Sequence, residues 1–186
     1  MTNPIKIVML LDSSGSMGVL KNETIQAFNS FIASQKELDG EATFSLYNFG
    51  SGVNSAEAID VKKAQDLNAF SYRPSGGTAL YDAIGKAISV EVKAGTSGVL
   101  AILTDGEENA SRLFKKDQIA TMIKDTQEVN GWQVIFLGAN ITNFTEFTAS
   151  INVLPANAVG FEYTSKGLHG ALNSISASTT AYRASH

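Results

Sequence analysis

The chain has 186 residues, 44% of them hydrophobic and 17% charged, which suits one domain with a full core and excludes broad disorder. A net charge of −4 and a pI near 5.2 argue against a nucleic-acid partner, which demands a basic face. With no cysteine and two histidines, His169 and His186, disulfides and thiolate metal sites are excluded, and a histidine-built zinc site or catalytic triad is poorly supplied.

No apolar run reaches the length of about 18 residues that a membrane span needs. Met1-Thr2-Asn3-Pro4 lacks the basic-then-apolar pattern of a signal peptide, so a cytoplasmic location is expected.

In chain order, strand-like runs are expected at 5–11, 43–49, 99–104, 132–138 and 158–163, with a short edge strand at 56–61. The first, fourth and fifth runs are continuously apolar, as a parallel strand covered on both faces must be. Between them, helical spacing appears at Ile25, Phe28 and Ile32, and at Leu80, Ala83-Ile84 and Ala87-Ile88. It recurs at Ile119, Met122-Ile123 and Thr126, and at Leu168, Ala171-Leu172 and Ile175. The alternation implies right-handed crossovers: an α/β fold with a doubly wound, mostly parallel sheet flanked by helices, with room for one antiparallel edge strand. No linker, repeat or charge block divides residues 1–186, so a single domain is expected.

Ligands in such sheets bind beyond the carboxyl ends of the strands. Two loops meet that description, Asp12-Ser13-Ser14-Gly15-Ser16 and Asp105-Gly106-Glu107-Glu108-Asn109; between them Pro74-Ser75-Gly76-Gly77-Thr78 enters the helix expected near Ala79 and can converge with them. Their offer is oxygen alone. Two carboxylates, Asp12 and Asp105, balance one divalent ion, and the hydroxyls of Ser14, Ser16 and Thr78 add neutral ligands. Such a set suits magnesium, or manganese or calcium, and leaves the metal open to an incoming acid.

These residues resemble the von Willebrand factor A domain and its metal-ion-dependent adhesion site. The likeness lies in D-x-S-x-S at 12–16, the threonine after Gly76-Gly77, and Thr104-Asp105-Gly106 after an apolar strand. The segments GGTALYDAIG, LTDGEENAS and GWQVIFLGAN are similar to stand-alone bacterial and phage members of that family. The resemblance implies a binding module, not an enzyme, with Asp12, Ser14, Ser16, Thr78 and Asp105 as the metal set. It also implies a protein partner whose aspartate or glutamate completes the site, and a C-terminal helix, here 166–184, that shifts on engagement.

Other residues receive plainer roles. Ser13 is expected to cap the following segment, Glu107 and Glu108 to form a solvated turn, and Asp82 to lie exposed on a helix. Tyr81, Phe28, Phe31 and Trp132 follow burial patterns; His169 has no special role, and His186 is expected to be mobile.

Two competing classes remain. A phosphohydrolase using Asp12 lacks a second acid, because Ser14 occupies its place. An interaction domain with a vestigial metal site is the other. Ser16 fails as a hydrolase nucleophile because no G-x-S-x-G surrounds it, and neither a dinucleotide fingerprint nor a P-loop is present.

Overall fold

The computed structural model describes residues 3–186; the signal-peptide reading rests in part on Met1 and Thr2, which lie outside that range. Its centre is β1 (Ile5–Asp12), in which every residue but Lys6 is buried. That burial explains the unbroken apolar run, since both faces of the strand are covered by helices. On one side β1 pairs in parallel with β2 (Ala42–Phe49), and Asp12 stands opposite Phe49. On the other side it pairs in parallel with β5 (Gly98–Thr104), and Leu11 stands opposite Leu103. The sheet continues through β6 (Gln133–Gly138) to β7 (Ala158–Gly160), both parallel.

The opposite edge is antiparallel. Both β3 (Val53–Ser55) and β4 (Ile59–Asp60) pair with β2. The short edge strand expected at 56–61 is thus only Ile59–Asp60, and β3 was not anticipated at all. Its three residues carry no alternation long enough to register.

The fifth run was expected to be covered on both faces, and here the structure differs. β7 holds three residues, of which Val159 and Gly160 are exposed, because it closes the sheet's edge. The apolar residues after it, Phe161 and Tyr163, instead pack against the core outside the strand.

Side chains alternate between two cores. Ile7, Met9 and Leu11 face α1 (Lys21–Lys36) and α5 (Ser165–Ser185), where Phe28 packs on Phe44 with ring centroids 5.9 Å apart. Val8 and Leu10 face the layer of α2 (Leu80–Glu91) and α3 (Lys116–Glu128), which α4 (Phe144–Ser150) extends. Each fully buried Leu, Ile or Phe in these layers contributes roughly 1.5–3 kcal/mol of burial free energy. Trp132 precedes β6 and is buried, its indole N–H donating to the Thr96 carbonyl at 3.1 Å.

α5 is seated along its whole length. Leu168, Ala171, Leu172, Ile175, Thr179 and Tyr182 are buried, and the Ser34 and Ser176 hydroxyls meet at 2.8 Å. Arg183 donates to the Gln35 carbonyl at 2.8 Å. One side of its Ser/Ala/Thr-rich stretch, 174–181, thus lies against α1, with Ile175 and Thr179 buried. His186, expected to be mobile, stacks on the Tyr182 ring at 4.1 Å. No helix among the described residues is long and apolar enough to cross a membrane.

Candidate metal centre

The order β3-β2-β1-β5-β6-β7 reverses direction at β1, whose sequence neighbour β2 lies on one side and β5 on the other. A crevice opens at the carboxyl ends of two strands where such a reversal occurs. Asp12 is the last residue of β1 and Asp105 directly follows β5, so the topology places both acids at this point.

The first loop turns at once into a 3-10 helix, Gly15–Leu20, with Ser14 extended before it. This turn brings the Ser14 and Ser16 hydroxyls within 3.2 Å of each other, and Ser16 donates to Asp105 Oδ1 at 2.9 Å. Asp12 is fully buried. Its Oδ1 accepts the Ser14 N–H at 2.7 Å, its Oδ2 accepts the Thr104 hydroxyl at 2.6 Å, and its carbonyl accepts the Tyr72 hydroxyl at 2.6 Å.

Thr78 reaches the site through backbone stitching. Ser75 N–H donates to the Ser13 carbonyl at 2.8 Å, Gly15 N–H to the Gly76 carbonyl at 3.0 Å, and Ala79 N–H to the Gly50 carbonyl at 2.7 Å. Asn109 then clasps Thr78 at both ends: its Oδ1 accepts the Thr78 N–H at 2.8 Å, and its own N–H donates to the Thr78 carbonyl at 2.9 Å. The paired glycines are required here. Gly76 has φ +75°, and a Cβ on Gly77 would fall 2.7 Å from Asn109 Oδ1.

The five residues named from the sequence thus lie on three loops bonded to one another. Ser13 is corrected: it joins the loops through its N–H and carbonyl rather than capping a helix with its side chain.

Asp82 is corrected as well, being buried rather than exposed. Its carboxylate accepts the N–H groups of Arg112, Leu113 and Phe114, each at 2.9 Å, and so fastens the Asp105 loop to α2. Nor is Glu108 part of a solvated turn. It accepts the N–H groups of Ala110 and Ser111 and that of Tyr81 in the first turn of α2. Glu107 is exposed and accepts the Thr142 N–H at 2.8 Å. Thr104, Asn109 and Tyr72 were missed as positioning residues. For Thr104 the signal was a hydroxyl at the end of an otherwise apolar strand; the other two offered none, because their partners lie 31 and 60 residues away.

One atom stands out in the electrostatics. Asp105 Oδ2 is buried without a hydrogen-bond partner. Burial pushes the Asp105 carboxyl up to about 6, the Ser16 hydroxyl opposes that rise, and the neighbouring Asp12 carboxylate adds to it. Tyr72 and Tyr163 are also raised, first by burial and then by these acids. Among the described residues, two acids share a buried site with one oxygen unsatisfied and no cationic side chain bonded to either.

Among the described residues no group of three or more His, Cys, Asp or Glu gathers. The donor set here differs: two carboxylates and three hydroxyls, all oxygen, fit a hard cation and not a soft one. An orphaned carboxylate oxygen buried beside a second acid fits the charge of such an ion.

No protein-family model matches the sequence. It is 28% identical over 142 residues to human inter-alpha-trypsin inhibitor heavy chain H2, a match covering 68% of this chain and 15% of that protein. Among solved structures it resembles a von Willebrand factor type A protein from Catenulispora acidiphila, with TM-score 0.63, 14% identity, and coverage of 95% of this chain and 43% of that one. It also resembles proximal thread matrix protein 1 of the mussel byssus, solved with zinc in its MIDAS motif. There the TM-score is 0.67 at 16% identity, covering 92% of this chain and 47% of that one. The chain therefore spans a small part of the heavy chain and less than half of either structure.

Proposed function

We propose, from the von Willebrand factor A fold that this chain adopts, that it is a metal-dependent protein-binding module and not an enzyme. Asp12, Ser14, Ser16, Thr78 and Asp105 hold a divalent cation, magnesium or alternatively manganese or calcium, and an aspartate or glutamate of a protein partner completes the site. The bound cation supplies a Lewis-acidic point of attachment for that carboxylate. The observation that carries the reading is the buried, unpartnered Oδ2 of Asp105 beside a second buried acid.

Each residue has a definable task. Asp12 and Asp105 together supply two negative charges, so the loaded site is neutral and does not repel an incoming acid. Thr104 and the Ser14 N–H fix the Asp12 carboxylate, and Asn109 fixes Thr78, so the donors are oriented before the ion arrives. The seating of β1 and β5 in the core makes the two acids rigid, which lowers the ordering cost of binding. The MIDAS motif of the mussel protein, on the same fold, is a further support.

The test is calorimetric titration with magnesium of the wild type and of Asp12→Ala, with a circular dichroism check that both are folded. Heat of binding in the wild type that vanishes in Asp12→Ala is expected. Equal heats in the two proteins would remove the metal reading. Metal-dependent hydrolysis of p-nitrophenyl phosphate, lost in Asp12→Ala, would overturn the non-enzymatic part.

A further inference from the structure

The loops that carry the metal donors also shape the surface beside them, and two features there take no part in holding the site. The first is an open cleft of about 230 Å³ whose lining includes Ser13, Ser51, Asn54, Arg73, Ser75 and Gly76. Ser13 lies between Asp12 and Ser14, and Gly76 bonds to Gly15, so cleft and metal centre share a wall. Hydroxyls, backbone and the Asn54 amide line it, and Arg73 is its one cation. That side chain is exposed and forms no ion pair among the described residues. Its guanidinium carbon sits 6.0 Å from the Phe70 ring centroid, a cation–π contact that holds the group and leaves its donors open.

The second feature is apolar. Val19 and Phe70 are each 80% exposed. Isolated exposed apolar residues are ordinary, but these two stand on segments that touch. Lys21 Nζ donates to the Ala69 carbonyl at 3.0 Å, and a Cβ on Gly18 would lie 4.0 Å from that of Pro74. A cation and a hydroxyl-lined cleft therefore adjoin the loop that carries Asp12 and Ser14, and two exposed apolar side chains stand on the touching segments 18–21 and 69–74.

We propose that this rim is a second subsite, which rests on the metal-binding reading above and names its partner more closely: a protein segment with two acids. One carboxylate goes to the metal. The second enters the cleft and pairs with Arg73, and an apolar side chain beside the first acid lies on Val19 and Phe70. Charge complementarity selects this occupant. The loaded metal site is neutral, and Arg73, without an ion-pair partner among the described residues, is the cation of the cleft that shares Ser13 with the first donor loop.

Four synthetic peptides test it by amide NMR titration in excess magnesium. In three, an aspartate next to leucine is followed by glutamate after one, two or three positions; the control carries the same aspartate among glycines. The best two-acid peptide should bind the wild type between about twofold and tenfold tighter than the control, as an exposed ion pair plus apolar contact allows. Arg73→Glu should erase that advantage and leave control binding within about twofold, since a rim charge contributes little to the metal contact itself. Phe70→Ser should remove the part due to leucine.

Equal affinities for all four peptides, or an advantage that survives Arg73→Glu, would overturn the subsite. The metal reading fails separately, when EDTA leaves control binding unchanged. Both substituted residues are exposed, so loss of folding does not confuse the result; melting temperatures confirm it.

Discussion

The sheet buries carboxylates at both of its ends, and the two ends treat them oppositely. At the amino end of β1, Glu91 is buried but complete. Its Oε2 accepts Lys6 Nζ at 3.2 Å and its Oε1 accepts the Tyr47 hydroxyl at 3.0 Å. At the carboxyl end, Asp105 has one oxygen bonded to Ser16 and one bonded to nothing, with Asp12 beside it. Burial alone therefore does not mark a functional acid. What distinguishes the two is completeness: the oxygens and charge of Glu91 are matched within the fold, and those of Asp105 are not.

This contrast is open to direct attack. The largest effect is expected from exchanging the roles. Glu91→Ala strands Lys6 and Tyr47 and should cost about 2 kcal/mol in urea unfolding, Lys6 being partly solvated, while magnesium binding stays intact. Asp105→Asn should do the reverse, abolishing magnesium binding while the metal-free protein unfolds no earlier than the wild type. If Asp105→Asn destabilises the metal-free protein as much as Glu91→Ala does, the distinction between the two ends is lost.

A smaller effect is expected from Thr104→Val, which removes the 2.6 Å bond to Asp12 without changing shape. Magnesium affinity by calorimetry should fall roughly tenfold or somewhat more, as for other groups that orient a metal ligand. An unchanged affinity would mean that Asp12 is held by packing alone.

The mildest test is pH. With the Asp105 carboxyl near 6, proton and metal compete, so magnesium affinity should be nearly flat above pH 7 and fall about tenfold by pH 5. In the metal-free protein the same group acts on stability with the opposite slope. Its folded form holds the proton more tightly than the unfolded chain, so its contribution is full below the ordinary carboxylate range and is lost as pH rises through about 6. Saturating magnesium should remove that loss. Thermal melts across pH 4–8, with and without magnesium, check both slopes.

How much of this was legible beforehand depends on how far each residue's partner lies in sequence. The strands of the central sheet read clearly because burial on both faces demands continuous apolar residues, as in Val99–Thr104. The donor loops read clearly because strand ends must break that pattern, and Asp12 and Asp105 break it with charge. Asp82 did not. A lone acid one turn into a helix usually faces water, and only the return of residues 112–114 buries it. Asn109 and Tyr72 were silent for the same reason: their hydrogen bonds join segments 31 and 60 residues apart in the chain. The contact of α5 with α1 did not read either: the small residues of 174–181 seat there beside Ser34, a partner far away in the chain.

The sequence by itself determined the alternation of strands and helices, the doubly wound class, and the two acids that end or follow β1 and β5, since these follow from local periodicity and from where it stops. Only the tertiary structure decided which acid is complete and which is not. It paired Glu91 with residues 85 and 44 positions away and left Asp105 Oδ2 with none. Satisfaction of a buried charge is a property of the whole packing around it, and no local window of the chain contains that information.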